Sequence, residues 1–201
     1  MSFPLVPFIS FAVVTTLTPG PNNISSAGFG FKNGYVKTLK FIAGINIGFL
    51  GIMVVTSLFS TILSMYLPRF FPYLKYIGAG YIVFLAIRIM LSKSFEEGFQ
   101  GGKAGVVDGI VLQILNPKVI IYGLTIFTVF VHPNVEKVSL HIVISLALAV
   151  LVFVSNSLWA LSGNAIKLLL KKERYYRIIN IVLGLLLIYS AVSIVLSDVT
   201  V

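Results

Sequence analysis

An apolar run from Phe3 to Leu17 is stopped by Thr18-Pro19-Gly20-Pro21-Asn22-Asn23 and resumes through Ile24-Ser25-Ser26-Ala27-Gly28-Phe29. This interruption constrains the chain more than any other stretch. Two prolines within three positions remove two backbone donors, and the glycine between them loosens what helix remains. The carbonyls freed in this way have no partner in hydrocarbon, so a break at membrane depth survives only where protein buries it or it lines a cavity. A second, smaller break, Asn116-Pro117-Lys118, interrupts another apolar stretch about a hundred residues later.

Composition places both breaks in a membrane. The chain is 58% hydrophobic and 10% charged, with a mean hydropathy of +1.02, whereas a soluble domain carries about 25% charged residues. The 15 Lys and Arg exceed the 6 Asp and Glu, giving a net charge of +9. These cations fall in short segments between apolar runs, the positive-inside pattern, and not on a basic face in water, which argues against nucleic acid as a partner. The absence of cysteine excludes disulfides, thiol chemistry and thiolate metal sites. Residues 1–17 lack a basic n-region and an Ala-x-Ala-like cleavage site and are read as mature protein.

At about 20 apolar residues per span, the pattern predicts an all-α membrane protein of six transmembrane helices. They run over about 3–31, 39–66, 73–91, 106–131, 140–161 and 178–196, the first and fourth being broken. Pro68 and Pro72 are expected to bound a tight connection between the second and third. The polar stretch from Ser92 to Lys103 alone resembles a linker. It divides a single transmembrane domain (1–201) into a first three-helix repeat (1–91), a cytoplasmic loop (92–105) and a second three-helix repeat (106–201). Loops one, three and five hold eleven Lys and Arg, against Arg69, Lys75 and Lys137 on the other side. That bias predicts a multi-pass protein of the cell (plasma or inner) membrane, with cytoplasmic odd-numbered loops and both termini outside. Three spans per half force any repeat to be inverted. The two breaks, about 15 and 11 residues into their spans, both fall near the midplane at 1.5 Å per residue. Gly44, Gly48 and Gly51 form a smooth face on the second span, read as an intramolecular helix contact, with a homodimer interface as the alternative.

Two interrupted helices in matching halves are a sequence signature of a substrate site in a secondary transporter. After Pro21 a helix can restart with Asn22 and Asn23 in its first turn, and Asn116 can cap a second helix opened by Pro117. Two helix N-termini with the Lys118 ammonium suit a carboxylate. Carbonyls ending the upstream half-helices, around Leu17 and Leu115, suit an ammonium, so the pair describes a site for a zwitterion. The expected substrate-binding residues are Pro19, Gly20, Pro21, Asn22, Asn23, Asn116, Pro117, Lys118 and Tyr122, the last sharing a helical face with Lys118. Lys118 is the one basic residue deep within a span, functional by default; the structural alternative satisfies it with broken-helix carbonyls or Asp108. Asp108 is a candidate for ion coupling or, alternatively, an interfacial carboxylate. Asn46, Gln113 and Asn156 either line the pathway or bond a neighbouring helix. His132 and His141 flank an outer loop without metal-ligand spacing and are read as loop histidines, so no metal is assigned. The deep spans offer one lysine and several amides but no Ser–His or carboxylate pair, and nothing resembles a phosphate-cradling loop, so neither an enzyme nor a cofactor is expected.

At these residues the sequence resembles the LysE/RhtB family of amino-acid exporters. Thr18 to Asn22 match the family's Thr-Pro-Gly-Pro-Asn motif, Gly44 and Gly48 its Gly-x-x-x-Gly pattern, and Asn116 to Lys118 its Asn-Pro-Lys. The resemblance covers essentially the whole chain. It implies export of an amino acid or related small zwitterion, driven by proton or cation exchange. The alternatives are an ion or metal-cation exporter or channel on the same fold, or a non-transporting assembly protein. Family members often end the fourth span with a Leu-Pro-Gln-Phe-like stretch. Here that region reads Thr128-Val129-Phe130-Val131.

Overall fold

The computed structural model describes residues 3–91, 105–132, 135, 137–169 and 173–196. The expected 92–105 loop lies outside them except for Gly105. Among the described residues the protein is all helical, without strands: α1 (Leu5–Leu17), α2 (Pro21–Asn33), α3 (Tyr35–Met90), α4 (Val106–Ile114), α5 (Pro117–Thr125), α6 (Val138–Leu169) and α7 (Glu173–Leu196). A π-helical segment, Ile126–Val131, prolongs α5.

Among the described residues, three helical stretches are long and apolar enough to cross a membrane, namely Tyr35–Phe59, Val138–Leu168 and Arg177–Leu196. The bent pair of α4 with Pro117–Val131, meeting at 65°, makes a fourth. Two of the six expected spans do not register by length and apolarity. The first is split between α1, only 13 residues long, and α2, whose sequence PNNISSAGFGFKN is largely polar or small. The third shortens to an apolar helix at Tyr76–Ile87. Around it the backbone also departs from expectation. Pro68 and Pro72 lie within helical backbone, and the break in α3 falls earlier, at Phe59, with φ −120° and ψ 19°.

Polarity is distributed as a membrane protein requires. The outward face of α6 presents Ile142, Val143, Leu146, Val150 and Phe153, an apolar surface that water would not tolerate. By contrast, α2 buries every residue from Pro21 to Lys32, including Asn22, Asn23, Ser25 and Ser26. Gly34, at φ +79°, ends α2 by donating its N–H to the Gly30 carbonyl, a left-handed cap that only glycine adopts without penalty. The chain turns there directly into α3.

Close backbone approach holds the broken helices in place. A Cβ at Gly30 of α2 would stand 2.1 Å from the Ala160 carbonyl oxygen of α6, and one at Gly163 would stand 2.0 Å from that of Ala27. On the other side, a Cβ at Gly44 of α3 would meet the Val106 carbonyl oxygen at 2.0 Å, and Gly48 makes room for the Gln113 side chain. The glycine face of the second span is thus an intramolecular contact at Gly44 and Gly48. Gly51 has nothing within 4 Å of a Cβ and does not share it.

Candidate functional site

Both breaks form where the residues demand. Helix α1 ends at Thr18, whose N–H and hydroxyl both donate to the Val14 carbonyl. Gly20, in extended conformation, is the N-cap of α2 and has no side chain to cap with, so Pro21 takes the first helical position. At the second break Asn116 is the N-cap of α5, its Oδ1 accepting from the Lys118 backbone N–H at 3.1 Å. Pro117 follows as the first helical residue.

The breaks meet. The Lys118 ammonium donates to the Thr18 carbonyl at 3.1 Å, joining positions a hundred residues apart. Asn116 Nδ2 donates to Asn22 Oδ1 at 3.1 Å, and Asn22 Nδ2 donates to Gln113 Oε1. Asn23 Nδ2 donates to the Thr16 carbonyl at 3.0 Å, which also accepts from the Ser155 hydroxyl at 3.0 Å. Ser26 donates to Asn156 Oδ1 at 3.0 Å, and Asn156 Nδ2 to the Val152 carbonyl. The carbonyls around Leu17, expected to stand free for a ligand, therefore already have partners at Thr16 and Thr18.

Two adjoining cavities lie at this junction. The inner one, about 40 Å³, is lined by Asn22, Asn23, Gln113, Asn116 and Asn156, with Phe49, Val119 and Val152 as its apolar part. The larger vestibule, about 420 Å³, is lined by Pro19, Pro117, Thr18 and Thr125, and by Tyr189, Ser190 and Ser193 of α7. Thr15, Gly20, Pro21, Lys118 and Tyr122 border both and form the neck between them. The vestibule has the volume of a small-molecule site, roughly 300–1,000 Å³. Tyr122 is wedged between Phe11, stacked at 5.7 Å, and Phe49 at 6.0 Å. Gln113 Nε2 is buried without a hydrogen-bond partner, and the Tyr122 hydroxyl lies beside the Thr16 side chain.

All nine expected substrate-binding residues border one or both cavities, as do Gln113 and Asn156. Asn46 and Asp108 do not. Asn46 donates back to the Ile42 carbonyl within its own helix. Asp108 accepts the Gly105 N–H at 2.9 Å and caps α4, the capping-box use of an early acidic residue. Sequence reasoning passed over Thr15, Thr16, Ser155 and the α7 hydroxyls. The paired threonines one turn before the break were a usable signal, whereas nothing in α7 pointed to the first span.

One expectation is overturned. Ser57 Oγ lies 3.1 Å from His141 Nδ1, a buried Ser–His pair whose histidine stands in the first turn of α6. His141 Nε2 bonds the Val135 carbonyl, His132 Nε2 bonds the Ser57 carbonyl, and the two imidazoles meet edge to face at 4.9 Å. These are not loop histidines but a clasp joining α3, the π segment and α6. Ser57 is 84 positions from His141, out of reach of any spacing argument.

The family model of the LysE type translocator matches residues 13–198. The chain belongs to this family. Similar proteins include the cysteine/O-acetylserine efflux protein of Escherichia coli O139:H28 (strain E24377A / ETEC), 36% identical over 187 residues, covering 93% of this chain and 95% of the relative. Those of Escherichia coli (strain K12) and Shigella sonnei (strain Ss046) are 35% identical over the same spans. No solved structure matches. This LysE-family chain is a membrane transporter and not an enzyme, and its Ser57–His141 pair is accordingly read as structural.

Proposed function

We propose that the protein exports a small zwitterionic amino acid, with cysteine and O-acetylserine as the first solutes to test. The observation that carries this reading is the junction of both helix breaks at one cavity with a lysine in its neck. A carboxylate entering the neck can take the ammonium from the Thr18 carbonyl, and that carbonyl then becomes an acceptor for the substrate's own ammonium. The N-terminal amides of α2 and α5 add favourable dipoles for the anionic end. The names of the relatives add support for an efflux substrate of this class.

We further propose that the chain makes six crossings in two inverted three-helix repeats (1–91 and 106–201), and that these rock about the midplane site to alternate access. Proton or cation exchange drives the step, with Asp108 as the coupling candidate, and both termini lie outside the cell membrane. The absence of cysteine makes the chain a ready background for single-cysteine accessibility mapping. Labelling of Phe95→Cys from outside intact cells, or of Asn134→Cys only from the cytoplasm, would overturn the orientation.

The deciding experiment is amino-acid counterflow in proteoliposomes, with wild type compared to Lys118→Ala at matched reconstitution. Exchange in the wild type that drops at least about tenfold in the variant, a difference of about 1.4 kcal/mol, is the expected result. Exchange surviving in the variant removes Lys118 from the site. Failure of folded wild type to exchange any amino acid removes the substrate class.

A further inference from the structure

Three carboxamides form a one-way hydrogen-bond chain across the two breaks. It starts at the Lys118 backbone N–H, which can only donate, so the side-chain atom of Asn116 facing it must be the carbonyl oxygen. Asn116 is then left with its amino end toward Asn22, which must answer with Oδ1. Asn22 in turn presents Nδ2 to Gln113, which must answer with Oε1. Each orientation dictates the next, and no member can flip without opposing donor to donor or acceptor to acceptor. The chain ends at Gln113 Nε2, on a residue with 0% exposure that borders the inner cavity, and this amino group has no partner. Buried polar groups are otherwise almost always paired. An orphan donor whose direction is set by a relay of neighbours marks the place where a ligand acceptor belongs.

Resting on the zwitterion-export reading, we propose that the inner cavity is a carboxylate hole and Gln113 its neutral donor. Lys118, bordering the same cavity, supplies the charge, and the Tyr122 hydroxyl supplies a further donor. The volume agrees with this assignment. At roughly 10–15 Å³ per water-sized position, about 40 Å³ holds some three heavy atoms, the size of a carboxylate and too small for a whole amino acid. The amino group and side chain stay in the vestibule. Selection therefore falls on the carboxylate, while the side chain meets a roomy wall where Phe11, Ile121 and Ile194 stand among the hydroxyls. An ammonium is a poor occupant of the inner cavity because it would face the donor end of the relay and a lysine.

Inhibition of L-cysteine counterflow by three analogues tests this in the wild type. 3-Mercaptopropionate keeps the carboxylate without the amine, cysteamine keeps the amine without the carboxylate, and cysteine methyl ester keeps the amine with the carboxylate masked. The expected order is inhibition by 3-mercaptopropionate within about tenfold of cysteine, with cysteamine and the ester at least about tenfold weaker still. Equal or stronger inhibition by cysteamine overturns the proposal. Gln113→Glu retains the oxygen that receives Asn22 and, once ionised, replaces the orphan donor with an acceptor, so KM for cysteine rises at least tenfold, with thermal unfolding in detergent as the check on folding. An unchanged KM in a folded variant overturns the role of Gln113. Tyr122→Phe keeps the stacked ring and loses only the hydroxyl, and a rise in KM of a few fold is expected. Should wild type exchange no amino acid, the export reading itself fails, a result distinct from exchange that ignores the carboxylate.

Discussion

The two helix breaks use the same residue types and are finished differently. The second is capped by its own sequence, Asn116 accepting the Lys118 N–H, and its Leu115 carbonyl lies against Gly78 of α3. The first has no cap of its own. Gly20 offers no side chain, Thr18 and Pro19 are exposed to the vestibule, and its carbonyls are satisfied by Asn23, Ser155 and Lys118. A break closed from within is a scaffold, and one closed by removable side chains is a place where a ligand can substitute. In our reading the first break therefore responds to substrate and the second holds it in register.

Substitutions at the two breaks can separate these roles, with thermal unfolding in detergent as the common measurement. Gly78→Ala should be the most damaging, because its Cβ would stand 2.1 Å from the Leu115 carbonyl oxygen and overpacking of this kind costs about 1–3 kcal/mol. Asn116→Ala, which loses the cap and opens the carboxamide relay, should cost about 0.5–2 kcal/mol. Asn23→Ala, at the first break, removes one of two donors to the Thr16 carbonyl and should cost about 0.5–1.5 kcal/mol. Gly20→Ala should be mildest, within about 0.5 kcal/mol, since its Cβ would stand no nearer than 3.3 Å to the Lys118 side chain and 3.9 Å to the Thr18 carbonyl oxygen. Transport should rank them otherwise. Gly20→Ala crowds the ammonium and should raise KM several fold in counterflow, and a Gly20→Ala protein with unaltered KM would erase the contrast.

How far the sequence reached depended on whether the cause was local. Proline and glycine act on their own backbone, so both breaks, the restart at Pro21 and the Asn116 cap could be placed from neighbouring residues. The meeting of those breaks could not, because the Lys118–Thr18 and Asn116–Asn22 bonds join halves of the chain related only by packing. Gln113 was readable as an intramembrane amide; its orphan amino group follows from a relay through residues of α2 and α5. The crossings were harder to count, since α2 is buried by protein and needs no apolar sequence. Pro68 and Pro72 misled as well, since both lie inside helical backbone while the chain breaks at Phe59. The Ser57–His141 contact left no trace in spacing.

The π-helical segment carries a consequence for length variation. Its His132 N–H reaches back five residues to the Phe127 carbonyl at 2.9 Å, so the turn stores one residue more than an α-helix needs. It includes Thr128-Val129-Phe130-Val131. Removing one residue there would let the helix close into ordinary α form without shortening the crossing. The residues beyond would keep their places, so His132 would stay on the Ser57 carbonyl and the clasp would hold. A single-residue deletion, disruptive elsewhere in a helix, would be absorbed here.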